Sequence, residues 1–427
     1  MIEPFESLES NVRVYCRSFP TVFRKARGSE LWDVSGKRFI DLFAGAGTMN
    51  YGHNPEAIKC DLLAYINKDG ITHSLDMYSE AKAEFIQAFQ THILSPRGLG
   101  YRFMFPGPTG TNAVEAALKL ARKVTGRSTV AAFTDGFHGM SLGALAATGS
   151  AFKRGGAGIA LTGVQRFPYE AYHGPSIDTI DLISRLLDDP SSGYDAPAAF
   201  LVETIQGEGG IHTASPNWLR RLAGLAKRHD SLLIVDDIQA GCGRAGTFFS
   251  FEESGVKPDI VCLSKALSGY GLPFSLVLLK PDIDVWRPGE HNGTFRGNNL
   301  AFVTGRSAIL NHWRDDSLGT AMLASSKLLD AWLKDTALRL SLGPAAVRGK
   351  NLLKGLVLPS GDIADKVVFE AFCRGVIIET SGGEGEVLKF LPPLIISPSL
   401  LGEALNRLDD ALSAGLETKR FAVRATA

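Results

Sequence analysis

Several residues that could do chemistry stand next to apolar runs typical of buried strands. Lys265 follows DIVCL, Asp236 ends SLLIVD, Glu203 ends AAFLVE, and Gly110 and Thr111 open a helical pattern. Taken alone, Lys265 could mark the solvated end of a strand, because charged side chains are mostly exposed. In a desolvated cleft the same lysine would have a lowered pKa and could act as a nucleophile or a base.

The segment PTGTNAVEAALKLAR, residues 108–122, could bind a phosphate group. Alanine and leucine recur there at helical spacing, and the unpaired N–H groups at the start of a helix suit an anion. Gly110 would let the anion approach the backbone, and Thr111 could add a hydroxyl donor. The alternative is an ordinary threonine N-cap. The segment is not a Walker A loop, because it lacks GxxxxGK followed by serine or threonine.

The segment DGFHGMSLGALAATG, residues 135–149, places an aromatic residue beside a glycine at a strand end. Phe137 could lie flat against a planar ring or pack in the core. His138 could stack, hydrogen-bond or titrate, or it could have a structural role. The sequence alone leaves both choices open.

Asp236 and Asp237 adjoin at the end of a buried strand. A carboxylate in that place is costly unless a cation or a hydrogen-bond donor pairs with it. Paired carboxylates can bind magnesium, but no third acidic residue lies near in sequence, so we predict no metal site. The alternative is that Asp236 faces a protonated ring nitrogen.

Together these residues make a phosphate cradle, an aromatic face, a carboxylate and a lysine. Pyridoxal phosphate requires these groups, because its aldehyde forms an imine with a lysine and its ring nitrogen stays protonated beside an acid. Each signal is weak alone, and the combination predicts this cofactor.

The elements that must position these residues form an alternating pattern of strands and helices. Strands are predicted at the segments RFMF (102–105), TVAAF (129–133), AAFLVE (198–203), SLLIVD (231–236), DIVCL (259–263) and FSLVLL (274–279). Nearly continuous apolar runs favour a mostly parallel sheet with helices on both faces, which is an α/β fold. Ligands bind beyond the carboxyl ends of such strands, so the candidate residues should share one cleft.

Three regions are predicted along the chain. Residues 1–54 form an N-terminal segment with a β-hairpin at 30–43, and residues 55–305 form the large cofactor-binding domain. Residues 306–427 form a smaller α+β domain, helical to about 340 and ending in a helix from 399 to about 417.

Composition excludes several classes of protein. The 427 residues include 45 Lys plus Arg and 45 Asp plus Glu, so the formal net charge of zero predicts no attraction to nucleic acid or anionic membranes. No apolar run approaches the roughly 18 residues that span a bilayer. Five widely spaced cysteines without a CxxC motif, and an N-terminus without an apolar signal region, predict a cytoplasmic protein.

The sequence resembles the class III, ornithine/GABA-type aminotransferases, which depend on pyridoxal phosphate and have fold type I. The resemblance covers nearly the whole chain through GTNAVEAALKLAR, GFHGM, ETIQGEGG, LLIVDDIQAGCGRAG, CLSKALSGYGLP and HNGTFRGNNLA. It implies a sheet of the seven-stranded type, a smaller C-terminal domain, and small amino-acid and 2-oxo-acid substrates.

The resemblance also implies roles for individual residues. Lys265 would carry the cofactor and Asp236 would face its ring nitrogen. The other cofactor contacts would be Gly110 and Thr111 at the phosphate, Phe137 on the ring, Gln239 at the ring hydroxyl, and His138 and Glu203 on the cofactor side. Thr294 would donate to the phosphate of a neighbouring subunit, which implies a homodimer or higher homo-oligomer with composite active sites.

Within the class, the resemblance is strongest to the diaminobutyrate–2-oxoglutarate aminotransferases of ectoine biosynthesis. Glu208 matches a glutamate that can gate a carboxylate-binding cation, here Lys389. Two positions depart from the ornithine and GABA pattern, because Met140 and Lys389 stand where arginines are usual. A lysine is a point charge rather than a bidentate fork, so substrate binding should differ.

Other functions stay open at this stage. The chain could act on another omega-amino acid such as ornithine or GABA, or it could be a decarboxylase or aminomutase with the same cofactor. It could also be a non-catalytic binding protein of the same fold, although the full set of cofactor residues argues against that. The pathway, whether ectoine, siderophore or peptide antibiotic, is not encoded in one sequence.

Overall fold

The computed structural model describes residues 2–424, with side chains through residue 416, so the outermost residues of the predicted terminal regions lie outside it. Its strands are β1 (Phe23–Arg27), β2 (Glu30–Asp33), β3 (Arg38–Asp41), β4 (Arg102–Met104), β5 (Val130–Phe133), β6 (Val164–Phe167), β7 (Ala199–Val202), β8 (Ile205–Gln206), β9 (His212–Thr213), β10 (Leu232–Asp236), β11 (Ile260–Leu263), β12 (Leu276–Leu279), β13 (Val347–Lys350), β14 (Leu353–Val357), β15 (Val376–Ile377), β16 (Glu379–Ser381) and β17 (Val387–Phe390).

Helices alternate with these strands. They are α1 (Glu3–Leu8), α2 (Tyr15–Ser18), α3 (Ala44–Gly47, one left-handed turn), α4 (Glu56–Asn67), α5 (Glu80–Phe89), α6 (Gly110–Thr125), α7 (Leu142–Ala147), α8 (Ala151–Gly155), α9 (Thr179–Asp188), α10 (Pro216–Arg228), α11 (Asn299–His312), α12 (Ser317–Arg339), α13 (Gly361–Cys373) and α14 (Pro398–Arg424). No helix of the described residues combines the length and the apolar character that a membrane span requires.

The central sheet has seven strands in the order β4-β12-β11-β10-β7-β5-β6. Only β12 runs antiparallel to its neighbours, so the predicted mostly parallel sheet is confirmed. All six strands predicted from apolar runs are present. The prediction missed β6, because its sequence VQRF has two polar residues between two apolar ones and is only partly buried.

The sheet carries apolar side chains on both faces. Leu233 and Val235 of β10 belong to one apolar cluster, which Trp218 of α10 joins. Ile234 points the other way, into a second cluster with Leu118 of α6. Because both faces are covered by helices, every position of such a strand is buried, which explains the continuous apolar runs in the sequence.

The N-terminal strands pack with the C-terminal region. The predicted hairpin is β2 and β3, but β1 extends it, and β3 pairs in parallel with β15. Phe39 and Ile40 therefore share one apolar cluster with Leu356 and Phe390. Residues near the two ends of the chain thus build a common core.

The C-terminal region contains a four-stranded sheet in the order β13-β14-β17-β16, with α13 and α14 packed together beside it. The single helical run predicted up to about residue 340 is two helices, α11 and α12, separated at residues 313–316. Asp315 accepts a hydrogen bond from the backbone N–H of Ser317, which turns the chain between the helices. The last predicted helix is present and is longer than predicted, since α14 runs from residue 398 to residue 424.

Candidate active site

The carboxyl ends of the central strands border a cavity of about 190 Å³. Nine of the residues predicted from the sequence line it: Gly110, Thr111, Phe137, His138, Glu203, Glu208, Asp236, Gln239 and Lys265. Gly139 and Ile238 line it as well, and neither was predicted. The remaining two predicted residues lie outside the lining. Lys389 is buried behind Glu208, and Thr294 is exposed on the surface.

Lys265 begins a short 3-10 turn directly after β11, and its backbone has a φ of +48°. A left-handed conformation is costly for a residue with a long side chain, and such strain is typical of functional sites. The Nζ atom donates a hydrogen bond of 3.0 Å to the carbonyl oxygen of Ala46. Burial lowers the pKa of Lys265, outweighing the opposite effect of Glu208, which favours the neutral amine.

The oxygen that faces Lys265 belongs to α3, the left-handed turn of the sequence AGAG. Ala46 has a φ of +57° and a ψ of +34°. Gln239 donates to the same carbonyl oxygen through Nε2, at 3.1 Å. The N-terminal region thus supplies a backbone acceptor for two residues that line the cavity, a contact that the sequence analysis did not predict.

Asp236 ends β10 and is buried together with His138. The Nδ1 of His138 lies 2.7 Å from Oδ2 of Asp236. Burial alone would lower the pKa of His138, but the hydrogen bond and charge of Asp236 outweigh it, so the pKa is raised. The pair can therefore exist as an imidazolium beside a carboxylate.

Glu203 follows β7 and stands beside this pair. Its Oε2 accepts a hydrogen bond of 2.8 Å from the backbone N–H of Phe137, which fixes the aromatic residue at the rim of the cavity. Burial raises the pKa of Glu203 to about 8, although His138 acts in the opposite direction. At neutral pH the carboxyl group is therefore mainly uncharged.

The two adjacent aspartates face different surroundings. Asp237 accepts hydrogen bonds from the backbone N–H and the hydroxyl of Ser250, away from the cavity. Burial raises the pKa of Asp237 to about 7. Only Asp236 is available to the cavity, because neighbouring residues in extended chain point to opposite sides.

Helix α6 directs its first turn at the cavity. Its N-cap residue is Thr109, whose backbone N–H and hydroxyl both donate to Oδ1 of Asn112. The hydroxyl of Thr111 lies 2.5 Å from that of Ser141, which in turn donates to Glu115. Thr111 thus already has a hydroxyl partner, and Ser141 belongs to this end of the site although sequence reasoning missed it.

Phe137 is half-buried at the cavity, and the Nζ of Lys153 lies 4.2 Å from the centre of its ring. A cation over an aromatic face is attracted by the ring quadrupole. The charge of Lys153 also contributes, as a minor cause, to the low pKa of Glu208. Lys153 is a second functional candidate that sequence reasoning did not find, because no motif contains it.

Glu208 and Lys389 form an ion pair between the two halves of the molecule. Lys389 donates a hydrogen bond of 2.7 Å to Oε1 of Glu208, and Nε2 of Gln239 lies 3.2 Å from the same oxygen. Burial alone would raise the pKa of Glu208, but Lys389 and Lys265 outweigh it and lower the pKa to about 2. Glu208 is therefore an ionised carboxylate facing the cavity.

A larger cavity of about 780 Å³ lies away from these residues, between α10 and β13. Its charged groups are already paired. Arg221 contacts Asp178 and Asp181, and Arg348 donates to the carbonyl oxygen of Gly210. Size alone does not make this cavity the chemical centre, because the described residues that line it include no buried lysine or cysteine.

The family model for aminotransferase class III matches residues 13–412. The chain belongs to this family. A diaminobutyrate–2-oxoglutarate transaminase of Halalkalibacterium halodurans is 52% identical over 98% of both chains. A protein of the same name from Vibrio cholerae is 54% identical and covers 96% of this chain and 99% of the relative.

Solved structures of aminotransferases share the fold. The ornithine aminotransferase of Toxoplasma gondii superimposes with a TM-score of 0.81 at 26% identity, over 97% of this chain and 94% of that one. The lysine aminotransferase of M. tuberculosis gives a TM-score of 0.83 at 24% identity, over 97% and 98%, which is a likeness of fold alone. The predicted fold type I is therefore confirmed.

The enzyme is a pyridoxal-phosphate-dependent aminotransferase, and the residues of the cavity fit that cofactor. The partly buried Lys265 can carry its aldehyde, Asp236 can face its ring nitrogen, and the start of α6 can receive its phosphate. Oε1 of Gln239 is buried without a hydrogen-bond partner among the described residues, so it is free for a ring substituent. Ile238 packs beside Gly110. A Cβ atom added at Gly110 would lie 2.9 Å from Cδ1 of Ile238, so this position has no room for a larger residue.

Proposed function

We propose that this enzyme transfers the terminal amino group of L-2,4-diaminobutyrate to 2-oxoglutarate, giving L-aspartate 4-semialdehyde and L-glutamate. The observation that carries the proposal is the partly buried Lys265 in one cavity with Asp236 and the start of α6. The identity of the substrates rests on relatives more than 50% identical along nearly their whole length. The reaction is reversible, and the physiological direction can run toward diaminobutyrate.

Lys265 is the residue that handles protons. When bound, the cofactor supplies an aldehyde for the substrate amine and a ring that accepts electrons from the neighbouring carbon. The amine of Lys265 can accept a proton from that carbon, since burial lowers its pKa toward the range of a general base. The carbonyl of Ala46 holds the amine in place through its hydrogen bond.

Asp236, His138 and Glu203 would set the charge next to the ring nitrogen of the cofactor. An ionised Asp236 can keep a ring nitrogen protonated, and His138 keeps Asp236 oriented through their 2.7 Å contact. Glu203, being mainly uncharged at neutral pH, adds no second negative charge there. The result is one carboxylate aimed at one site, which is what an electron-accepting ring requires.

The part of the site that binds the far end of the substrate must accept two different substrates. Diaminobutyrate presents an ammonium and a carboxylate there, whereas glutamate presents a carboxylate alone. Glu208 is ionised and faces the cavity, and Lys389 stands behind it. Glu208 can pair with the ammonium of diaminobutyrate, and its departure would expose Lys389 to a carboxylate of glutamate. Met140 is exposed and offers no charge.

We also propose that the enzyme works as a homodimer with composite sites. Thr294 lies on an exposed 3-10 turn, Thr294–Arg296, beside an apolar surface. Phe295 is 66% exposed, and its ring contacts the ring of His73. Tyr78, five residues after His73, is fully exposed. Apolar side chains gathered at a surface mark an interface in many proteins. A second copy of this chain would cover them and bring its Thr294 to the phosphate.

Two related assignments stay predictions. A cytoplasmic location follows from the cysteine usage and has no structural test. Transamination of another omega-amino acid, such as ornithine or GABA, is the main alternative reaction, and decarboxylation or amino-group migration are less suited to a site that must hold two substrates in turn.

The test is a substrate panel with the purified enzyme loaded with pyridoxal phosphate. Diaminobutyrate, ornithine, GABA and lysine would each be offered with 2-oxoglutarate, and glutamate formation would be measured. We expect kcat/KM to be highest for diaminobutyrate. A higher value for ornithine or GABA would overturn the substrate assignment, and carbon dioxide release without glutamate would overturn transamination. Lys265→Ala should abolish turnover and the visible absorbance of the bound cofactor.

A further inference from the structure

Lys389 has a second carboxylate partner that the proposed function does not use. Its Nζ lies 2.8 Å from Oε1 of Glu379, in addition to the hydrogen bond with Glu208. Lys389 is completely buried, and the side chain of Glu379 is only 7% exposed. One ammonium therefore lies between two carboxylates.

The two carboxylates are held in different ways. Glu379 lies directly opposite Lys389 in the antiparallel pairing of β16 with β17, so their side chains lie on the same face of one sheet. Glu208 comes from the loop after β8, in the other half of the molecule, and its side chain is 22% exposed at the cavity. Only Glu208 can move toward the cavity, whereas Glu379 is fixed by its strand.

This difference decides what an incoming carboxylate meets. A carboxylate of glutamate can reach Lys389 only by displacing Glu208 from its ammonium. When Glu379 is ionised, the substrate carboxylate meets the nearly neutral pair of Lys389 and Glu379 rather than a free ammonium. A neutral pair attracts an anion much less strongly than an unpaired ammonium does in the same low-dielectric surroundings.

We propose that Glu379 is a positioning residue that sets substrate preference by acting through Lys389. It holds the ammonium within the sheet and weakens its attraction for the dicarboxylates glutamate and 2-oxoglutarate. This inference rests on the proposed function, in which one site must accept a dicarboxylate and the diamino acid diaminobutyrate in turn. Without Glu379, the site would favour the dicarboxylate and release it poorly.

The protonation of Glu379 should modulate this effect. Burial raises the pKa of Glu379 to about 7, although Lys389 acts in the opposite direction. Three other groups surround Glu379. Glu208 is already ionised at pH 7, because its pKa is lowered to about 2, and Lys265 adds positive charge. The phenol of Tyr15 stays protonated, because burial raises its pKa to about 12. As the pH falls through 7, Glu379 gains a proton and loses its charge, so dicarboxylates should bind more tightly.

The experiment uses glutarate, a dicarboxylate without an amino or oxo group, as a probe of the holoenzyme. Its Kd would be measured from the change in cofactor absorbance, for wild type and for Glu379→Gln, which keeps the size of the side chain and removes the charge. We expect the variant to bind glutarate about fivefold more tightly at pH 8. The KM for 2-oxoglutarate should fall similarly while the KM for diaminobutyrate stays within about twofold.

Glu370→Gln, the same chemical change on the surface of α13, is the matched control and should leave the Kd unchanged. Equal changes in the KM for both substrates, or weaker glutarate binding by Glu379→Gln, would overturn the inference. If that variant does not fold, Glu203→Gln provides the test, because the other cavity acid with a raised pKa then cannot titrate and the glutarate Kd should still fall between pH 8 and pH 6. A Kd that does not change with pH would reject the inference. Glutarate binding needs no turnover of diaminobutyrate, so a failure of the proposed substrate is seen separately.

Discussion

The Nδ1 of His138 lies 2.7 Å from Oδ2 of Asp236, and both side chains are buried at the end of β10. The contact joins a residue of the GFHGM segment to the carboxylate that the cofactor ring requires. It gives His138, which the sequence left open between several roles, a definite neighbour. Although burial acts in the opposite direction, the hydrogen bond and the charge of Asp236 raise the pKa of His138, which favours the imidazolium form of this residue.

The first prediction separates Asp236 from its neighbour. Asp236→Asn should lower kcat by about 10² or more, because the negative charge that would keep the ring nitrogen protonated is lost. Asp237→Asn is the matched control, since that carboxyl group faces Ser250 and burial already raises its pKa to about 7. The measurement is kcat together with the absorbance of the bound cofactor. Equal losses in both variants would mean that the effect is structural.

The second prediction concerns stability and pH. Burial raises the pKa of Glu203 to about 8, well above its value in an unfolded chain, so the folded protein holds a proton that the unfolded chain releases. Stability should therefore fall as the pH rises from about 4.5 to about 8. His138 acts in the same direction, because its raised pKa means that the folded protein holds a proton that the unfolded chain releases as the pH rises.

Glu203→Gln imitates the protonated carboxyl group and keeps an oxygen for the backbone N–H of Phe137. The Tm of this variant should depend less on pH between 5 and 8 than that of wild type, as measured by thermal unfolding. If both proteins lost stability in parallel, Glu203 would not be the buried acid that titrates.

The third prediction concerns the buried ammonium. Lys389→Met leaves Glu208 and Glu379 without their cation, and removal of one partner from a buried ion pair costs about 3–5 kcal/mol. The double variant Lys389→Met with Glu379→Gln should recover part of the lost free energy of unfolding, as measured with urea. No recovery would show that the lysine contributes by packing rather than by charge.

Lys389 also bears on the two half-reactions. Each half-reaction can be measured by rapid mixing of the cofactor-loaded enzyme with glutamate or with diaminobutyrate. Lys389→Arg keeps the positive charge and should retain both half-reactions. In Lys389→Met, if it folds, the glutamate half-reaction should suffer more, because a carboxylate binding partner is lost. Equal losses in the two half-reactions would argue against a gate formed by Glu208 and Lys389.

The fourth prediction tests the composite site. Thr294→Ala should weaken cofactor binding by about tenfold, because one hydroxyl donor to the phosphate is lost. Mixed with an excess of Lys265→Ala subunits, whose Thr294 is intact, the Thr294→Ala subunits should regain tight cofactor binding and activity. If the mixture behaves as the sum of its parts, Thr294 does not serve a neighbouring site.

The sequence by itself determined the local parts of this site. Apolar runs that end near a lysine or an acid, and a small-residue turn before a helix, are short-range patterns. They predicted Lys265, Asp236 and Gly110 as site residues, and the structure brings all three to one cavity. The continuous apolar strands also determined the sheet, because burial on both faces leaves a direct trace in the sequence. The family motifs extended this to Gln239 and Glu208.

The tertiary structure alone decided the contacts that join distant segments. These contacts are the carbonyl of Ala46 at Lys265, the hydroxyl of Ser141 at Thr111, and Glu379 across from Lys389, and the sequence analysis predicted none of them. Strand register and the left-handed turn at Ala46 depend on how the two ends of the chain pack into one core. Local propensity contains no information about such pairings, because their energy comes from burial and charge neutralisation that exist only after the chain has folded.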